Sequence, residues 1–100
     1  HCYALLPVDW KIKDNTIVQP DNLVICYKPR GKYIIKAPSM IFEVLSPSTA
    51  LKDMNLKFNL YEQEGVKYYI IVDYDDEVAR VYHLQNGRYS KLLDATDETV

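Results

Sequence analysis

The sequence predicts an α/β chain of the α+β kind: a mixed β-sheet with one main helix, forming a single domain over residues 1–100. Three observations carry this. Short apolar or alternating runs recur before residue 45 and again after residue 67. Between them lies one segment of helical spacing, Ala50 to Glu64, closed by Gly65 as a natural C-terminal cap. The third is the run Met40-Ile41-Phe42-Glu43-Val44-Leu45, whose composition is that of a strand buried on both faces. It leads into Ser46-Pro47-Ser48-Thr49, a helix start with capping hydroxyls and a Pro tolerated in the first turn.

In chain order, Cys2 to Leu6 is an apolar run ended by Pro7. Val8 to Ile12 alternates, and Asp14-Asn15 supplies a turn. Thr16-Ile17-Val18-Gln19 is rich in β-branched residues and stops at Pro20. Asp21-Asn22 precedes Leu23-Val24-Ile25-Cys26-Tyr27. Lys28-Pro29-Arg30-Gly31-Lys32 reads as a positively charged loop, and Tyr33-Ile34-Ile35 as a short extended piece. In the helix, Leu51, Met54, Phe58 and Tyr61 share a face, which Leu56 and Leu60 are expected to widen. Tyr68 to Val72 is strongly β-prone. Asp73 to Asp76 is an acidic turn, and Val78 to Leu84 joins Tyr89 to Leu93 through Asn86-Gly87, a hairpin signal. The main order is β-β-β-β-α-β-β-β.

Composition bounds the function. Apolar residues make up 48% of the chain, enough for a folded core and too many for a disordered one. Lys plus Arg total 12 against 14 for Asp plus Glu, a net charge of -2, so the global basic footprint of a nucleic-acid binder is missing. Cys2 and Cys26 lack the spacing of a zinc site, and their pairing is left open. No apolar stretch reaches the roughly 18 residues of a membrane span. No membrane partner is expected, and a cytoplasmic location is.

Glu43 is the residue to explain. An isolated charge in an apolar strand costs roughly several kcal/mol or is given up. A partner is therefore expected: a Lys or a metal. Pro20-Asp21 followed by Glu43 is the sharpest constellation. Two carboxylates at the ends of neighbouring strands can hold a hard cation such as Mg²⁺. The plainer reading makes Asp21 a turn residue and Glu43 the partner of a core cation. Asp53 and Lys57, four apart, read most simply as an exposed helix pair. The acidic turn reads most simply as solvated.

The ordered set Val18-Gln19-Pro20-Asp21, Ala37-Pro38-Ser39-Met40-Ile41-Phe42-Glu43-Val44-Leu45-Ser46-Pro47-Ser48-Thr49, Asp53, Lys57, Tyr61, Gly65-Val66 and Ile71-Val72-Asp73 resembles the Uma-two family. That family is a restriction-endonuclease group within the PD-(D/E)XK nuclease superfamily. The resemblance implies a restriction-endonuclease-like mixed sheet and a metal-dependent nuclease acting on DNA. It assigns Asp21 and Glu43 as ligands of Mg²⁺ (or Mn²⁺). The superfamily's usual Lys position is Leu45 here, and the resemblance moves that role to Lys57, completing a catalytic set of Asp21, Glu43 and Lys57. Family members carry an N-terminal helix with a further acid, so this chain is expected to be truncated at that end. Tyr68, Ile70 and Tyr74 depart from the common Glu, Trp and Pro. The competing reading is a non-catalytic or degenerate protein of the same fold, acting as a binding or structural subunit. A third is a plain β-rich domain. A short sheet with exposed edges also predicts a homo-oligomer.

Overall fold

Met40–Leu45 forms a strand with the predicted bounds, and the rest of the fold is arranged around it. The strands before it are β1 (Tyr3–Leu5), β2 (Asp9–Lys13), β3 (Thr16–Val18), β4 (Asn22–Ile25) and β5 (Tyr33–Ile34), which makes it β6. Helix α1 (Leu51–Glu64) follows, then β7 (Tyr68–Asp73), β8 (Val78–Gln85) and β9 (Arg88–Thr96). The computed structural model describes residues 1–13, 16–29, 31, 33–45, 51–73 and 75–96, the side chains of 51–53 excepted. The predicted turn Asp14-Asn15 and helix start Ser46-Pro47-Ser48-Thr49 lie outside the described residues.

The predicted mixed sheet with one helix is present. Among the described residues, however, six strands precede the helix where the order β-β-β-β-α-β-β-β expects four, and three of the six form a small second sheet. The large sheet has the order β1-β4-β6-β7-β8-β9, and the small one β3-β2-β5. Helix α1 returns the chain so that β7 runs parallel to β6, with Glu43 opposite Ile71. The other neighbours in the large sheet are antiparallel. In the small sheet Trp10 pairs with Val18 on one side and with Ile34 on the other.

Strand β6 is not buried on both faces as its composition predicts. Ile41 and Glu43 are buried, whereas Met40 and Phe42 are half-buried and Val44 is exposed. Side chains alternate across a strand, so only the face with Ile41 and Glu43 enters the core. Helix α1 covers that face. Tyr61 is fully buried, and Met54, Phe58 and Leu60 pack against the same cluster. Leu56 does not widen the face: it is 58% exposed. At 100° per residue it lies about 200° round from Met54, on the opposite side of the helix.

The helix ends as Gly65 predicts. Gly65 takes φ +85°, its N–H donates to the Glu62 carbonyl, and the Val66 N–H donates to the Tyr61 carbonyl. This pair of bonds is the Schellman arrangement, with buried Val66 as its apolar anchor. At the hairpin, Asn86 and Gly87 both have positive φ (54° and 79°), the requirement of a type I′ turn.

The core comprises Trp10, Leu23, Ile25, Ile34, Ile41, Tyr61, Val66, Tyr69 and Ile71. Each buried Leu or Ile contributes roughly 1.5–3 kcal/mol. Trp10 joins the small sheet to α1 by stacking on Tyr61 at 6.0 Å, and its Nε1–H donates to the Ile35 carbonyl. Cys2 and Cys26 form a disulfide, one step beyond the register pair Tyr3–Ile25. It joins β1 to the end of β4.

Candidate active site

Antiparallel pairing builds the site. Strands β4 and β6 pair through Asn22–Phe42 and Leu23–Ile41. One step beyond Asn22–Phe42, Asp21 stands alongside Glu43. Pro20, itself buried, cannot donate to a ladder and ends the preceding segment. Asp21 Oδ2 accepts the Val44 backbone N–H at 2.8 Å, which holds its carboxylate against β6.

Glu43 is 7% exposed, and helix α1 supplies its partners. The Tyr61 hydroxyl donates to Glu43 Oε1 at 3.0 Å, and Lys57 Nζ lies 3.6 Å from the same atom. Lys57 and Tyr61 are one helical turn apart and so share a stripe. Lys57 therefore faces Glu43. The Asp53 side chain lies outside the described residues.

Burial pushes the Glu43 carboxyl above the ordinary carboxylate range. The Lys57 ammonium and the Tyr61 hydrogen bond oppose that rise, and the Asp21 charge adds to it. Burial, followed by the charge of Glu43, pushes the Tyr61 and Tyr69 hydroxyls well above the ordinary phenol value. A hydroxyl raised in this way keeps its proton at neutral pH, which suits Tyr61 as the donor to Glu43.

Asp21, Glu43, Val44, Leu45, Met54, Lys57 and Tyr69 line a cavity of about 230 Å³. The structure thus brings Asp21, Glu43 and Lys57 to one place. Tyr61, which the family motif includes without a role, is a partner of Glu43, and Tyr69 joins the same environment; apolar periodicity marks both simply as core. Among the described residues no cluster of three His, Cys, Asp or Glu side chains forms a ready metal cage. Mg²⁺ does not require one, because it is commonly held by one or two carboxylates, water and substrate phosphate. The all-oxygen pair Asp21 and Glu43 fits that chemistry.

The other candidates resolve plainly. Arg80 donates to Asp73 Oδ2 at 3.1 Å and to Asp76 Oδ2 at 3.2 Å, while the Asp76 N–H donates to Asp73 Oδ1. Arg80 thus pairs with two of the turn's carboxylates, and Tyr74 lies outside the described residues. His83 stacks on Tyr68 at 4.6 Å.

Two solved structures share this fold. One is a crystal structure of "a putative nuclease belonging to DUF820 from Anabaena variabilis ATCC 29413", with TM-score 0.72 and 17% identity. The match covers 90% of this chain and 54% of that one. The other is the cryoEM structure of a DrdV-DNA complex, with TM-score 0.52 and 17% identity, covering 94% of this chain and 8% of that one. The chain thus spans about half the length of the first and under a tenth of the second. No curated protein matches it. Across residues 1–99 it matches the model of the Uma2 family, described as "Putative restriction endonuclease", and the chain belongs to that family.

Proposed function

We propose that this chain carries the core of a Mg²⁺-dependent nuclease of the PD-(D/E)XK type, hydrolysing phosphodiester bonds of DNA. The observation that carries the reading is the convergence of Asp21, just before β4, Glu43 from β6 and Lys57 from α1 on one cavity. Family membership and the DNA complex of the second structural neighbour support it.

Asp21 and Glu43 would hold the cation. When bound, it lowers the pKa of a coordinated water and neutralises charge developing on the phosphate. The chain's own residues prepare that place. Val44 fixes one oxygen of Asp21 by its N–H. Tyr61 and Lys57 both address Oε1 of Glu43, and the other carboxylate oxygen would be the one to meet the cation. Lys57, 42% exposed, keeps its ammonium at the cavity, where it orients the attacking water or stabilises charge on the phosphate.

Magnitudes rank these roles. Enzymatic acceleration demands roughly 8–23 kcal/mol. One oriented donor supplies about 3–4 kcal/mol. The carboxylate pair with its cation must supply much of the remainder, so its removal abolishes activity and loss of Lys57 only impairs it.

Calorimetric titration of Mg²⁺ or Mn²⁺ into the wild type and an Asp21→Ala/Glu43→Ala variant tests this. Saturable binding that vanishes in the variant supports the site and is followed by a nuclease assay. A folded wild type that binds neither ion favours the non-catalytic reading.

A further inference from the structure

A second and larger cavity, of about 440 Å³, is lined by Tyr27, Lys28, Tyr33, Ile34, Ile35 and Lys36. It shares no lining residue with the Asp21–Glu43 cavity. Its size lies within the roughly 300–1,000 Å³ of small-ligand sites. Its chemistry is distinctive. Among the described residues two Lys, two Tyr and two Ile line it, with no carboxylate, in a chain whose net charge is -2.

The lining divides into fixed and open parts. Ile34 is buried and anchors the floor. Tyr27 is held in place: its hydroxyl donates to the Lys36 carbonyl at 2.9 Å, and Lys36 Nζ lies 5.6 Å from its ring centre. Tyr33 is 43% exposed and Ile35 is 70% exposed, so an aromatic ring and an aliphatic side chain face solvent together. A third cation reaches the same surface, since Lys11 Nζ lies 5.4 Å from the Tyr33 ring centre. Register sets Asp9 beside Tyr33, and Asp9 Oδ1 accepts a hydrogen bond from Gln19 Nε2.

An exposed aromatic ring beside cations suits a ligand with a flat apolar ring and an attached anion. We propose that this cavity is a subsite for single-stranded nucleic acid. One unpaired base lies against Tyr33 and Ile35, and the adjoining phosphates are held by Lys28 and Lys36. A base stacked within a duplex cannot offer its face to Tyr33, so this contact favours a single strand. The proposal deepens the nuclease reading by naming the form of strand and where it is gripped. Strand binding and cleavage nevertheless fail separately.

The test is fluorescence anisotropy of a labelled short DNA oligonucleotide with the full chain, in EDTA. Saturable binding to the single strand and weaker binding to the duplex are expected, and Asp21→Ala/Glu43→Ala still binds the single strand. Tyr33→Ala lowers affinity by roughly 5- to 150-fold, the range for a lost base–aromatic stack, while Tyr33→Phe keeps it. Lys28→Gln/Lys36→Gln shallows the salt dependence by about 1.4 in log–log slope, for two phosphate contacts on a single strand. No single-strand binding, equal affinity for the duplex, or affinity indifferent to both Tyr33→Ala and Lys28→Gln/Lys36→Gln overturns the proposal. Binding lost only in Asp21→Ala/Glu43→Ala also overturns it, by placing the strand at the other cavity. Binding with the expected profile and no Mg²⁺ uptake leaves the subsite standing and removes the nuclease reading.

Discussion

Tyr61 donates its hydroxyl to Oε1 of Glu43 at 3.0 Å, and the same ring stacks on Trp10. One side chain thus ties the buried acid to the junction of the two sheets. Tyr61→Phe preserves the ring packing and removes only the donor. A buried acceptor deprived of a partner costs about 1–3 kcal/mol. Urea unfolding is expected to show a loss of that size for Tyr61→Phe. In a double-mutant cycle with Glu43→Gln, a coupling of roughly 0.5–3 kcal/mol is expected between the two positions. Additive effects would show that the bond does no structural work.

Lys57 is predicted to matter for activity more than for stability. Its side chain is 42% exposed, so its ion pair with Glu43 is strongly screened. Lys57→Ala should change the unfolding free energy by under about 1 kcal/mol. Its effect on cleavage should be about 10²–10³ in kcat, the magnitude of a lost oriented donor. A steady-state assay beside a urea titration separates the two. A large loss of stability with a small loss of rate would assign Lys57 to the fold.

Two acids are expected to give stability opposite pH dependences. The Asp76 N–H, followed by Arg80, holds the Asp73 carboxyl below its ordinary value. Its pKa is therefore lower folded than unfolded. The stability it adds is present above the ordinary carboxylate value and is lost as pH falls through the folded value. Glu43 is the reverse, because burial raises its folded pKa. Stability declines as pH climbs from the ordinary value to the raised one. Thermal unfolding of metal-free protein across acidic pH should show Asp73→Asn losing its disadvantage at low pH. In Glu43→Gln the decline with rising pH should flatten. Parallel curves for either variant and the wild type would count against its assignment.

The Cys2–Cys26 bond closes a loop with a sequence separation of 24. Closing a loop of this length is worth roughly 3 kcal/mol against the unfolded chain. Reductant should lower the melting temperature of the wild type and leave Cys2→Ser/Cys26→Ser unaffected. A wild-type melting temperature indifferent to reductant would remove this contribution.

The large sheet ends in β1 on one side and β9 on the other. Leu92 and Leu93, on β9, are exposed. An apolar edge strand invites pairing with a second copy, so light scattering should report a homo-oligomer. Leu92→Lys/Leu93→Lys should yield a monomer. A monomeric wild type at high concentration would refute this expectation.

Local chemistry made some features legible. Gly65 marks the end of α1 because a left-handed residue there carries almost no steric penalty. Asn86-Gly87 marks the hairpin because both positions need positive φ. Glu43 stands out because a carboxylate amid Ile41, Phe42 and Val44 requires a partner. The strand and helix bounds around it follow from the same spacing rules.

What the sequence by itself determined is therefore where β6, the end of α1 and the Asn86-Gly87 hairpin lie, that Glu43 needed a partner, and which family motifs Asp21, Glu43 and Lys57 match. The tertiary structure decided what those elements meet. Pairing of Trp10 with Val18 and Ile34 made a second sheet, and register made Cys2 the neighbour of Cys26. The crossing of α1 over β6 set Tyr61 and Lys57 on one oxygen of Glu43 while leaving Leu56 in solvent. The reason is physical: periodicity reports which face of an element is apolar, whereas the partner of that face is chosen by contacts between residues distant in the chain.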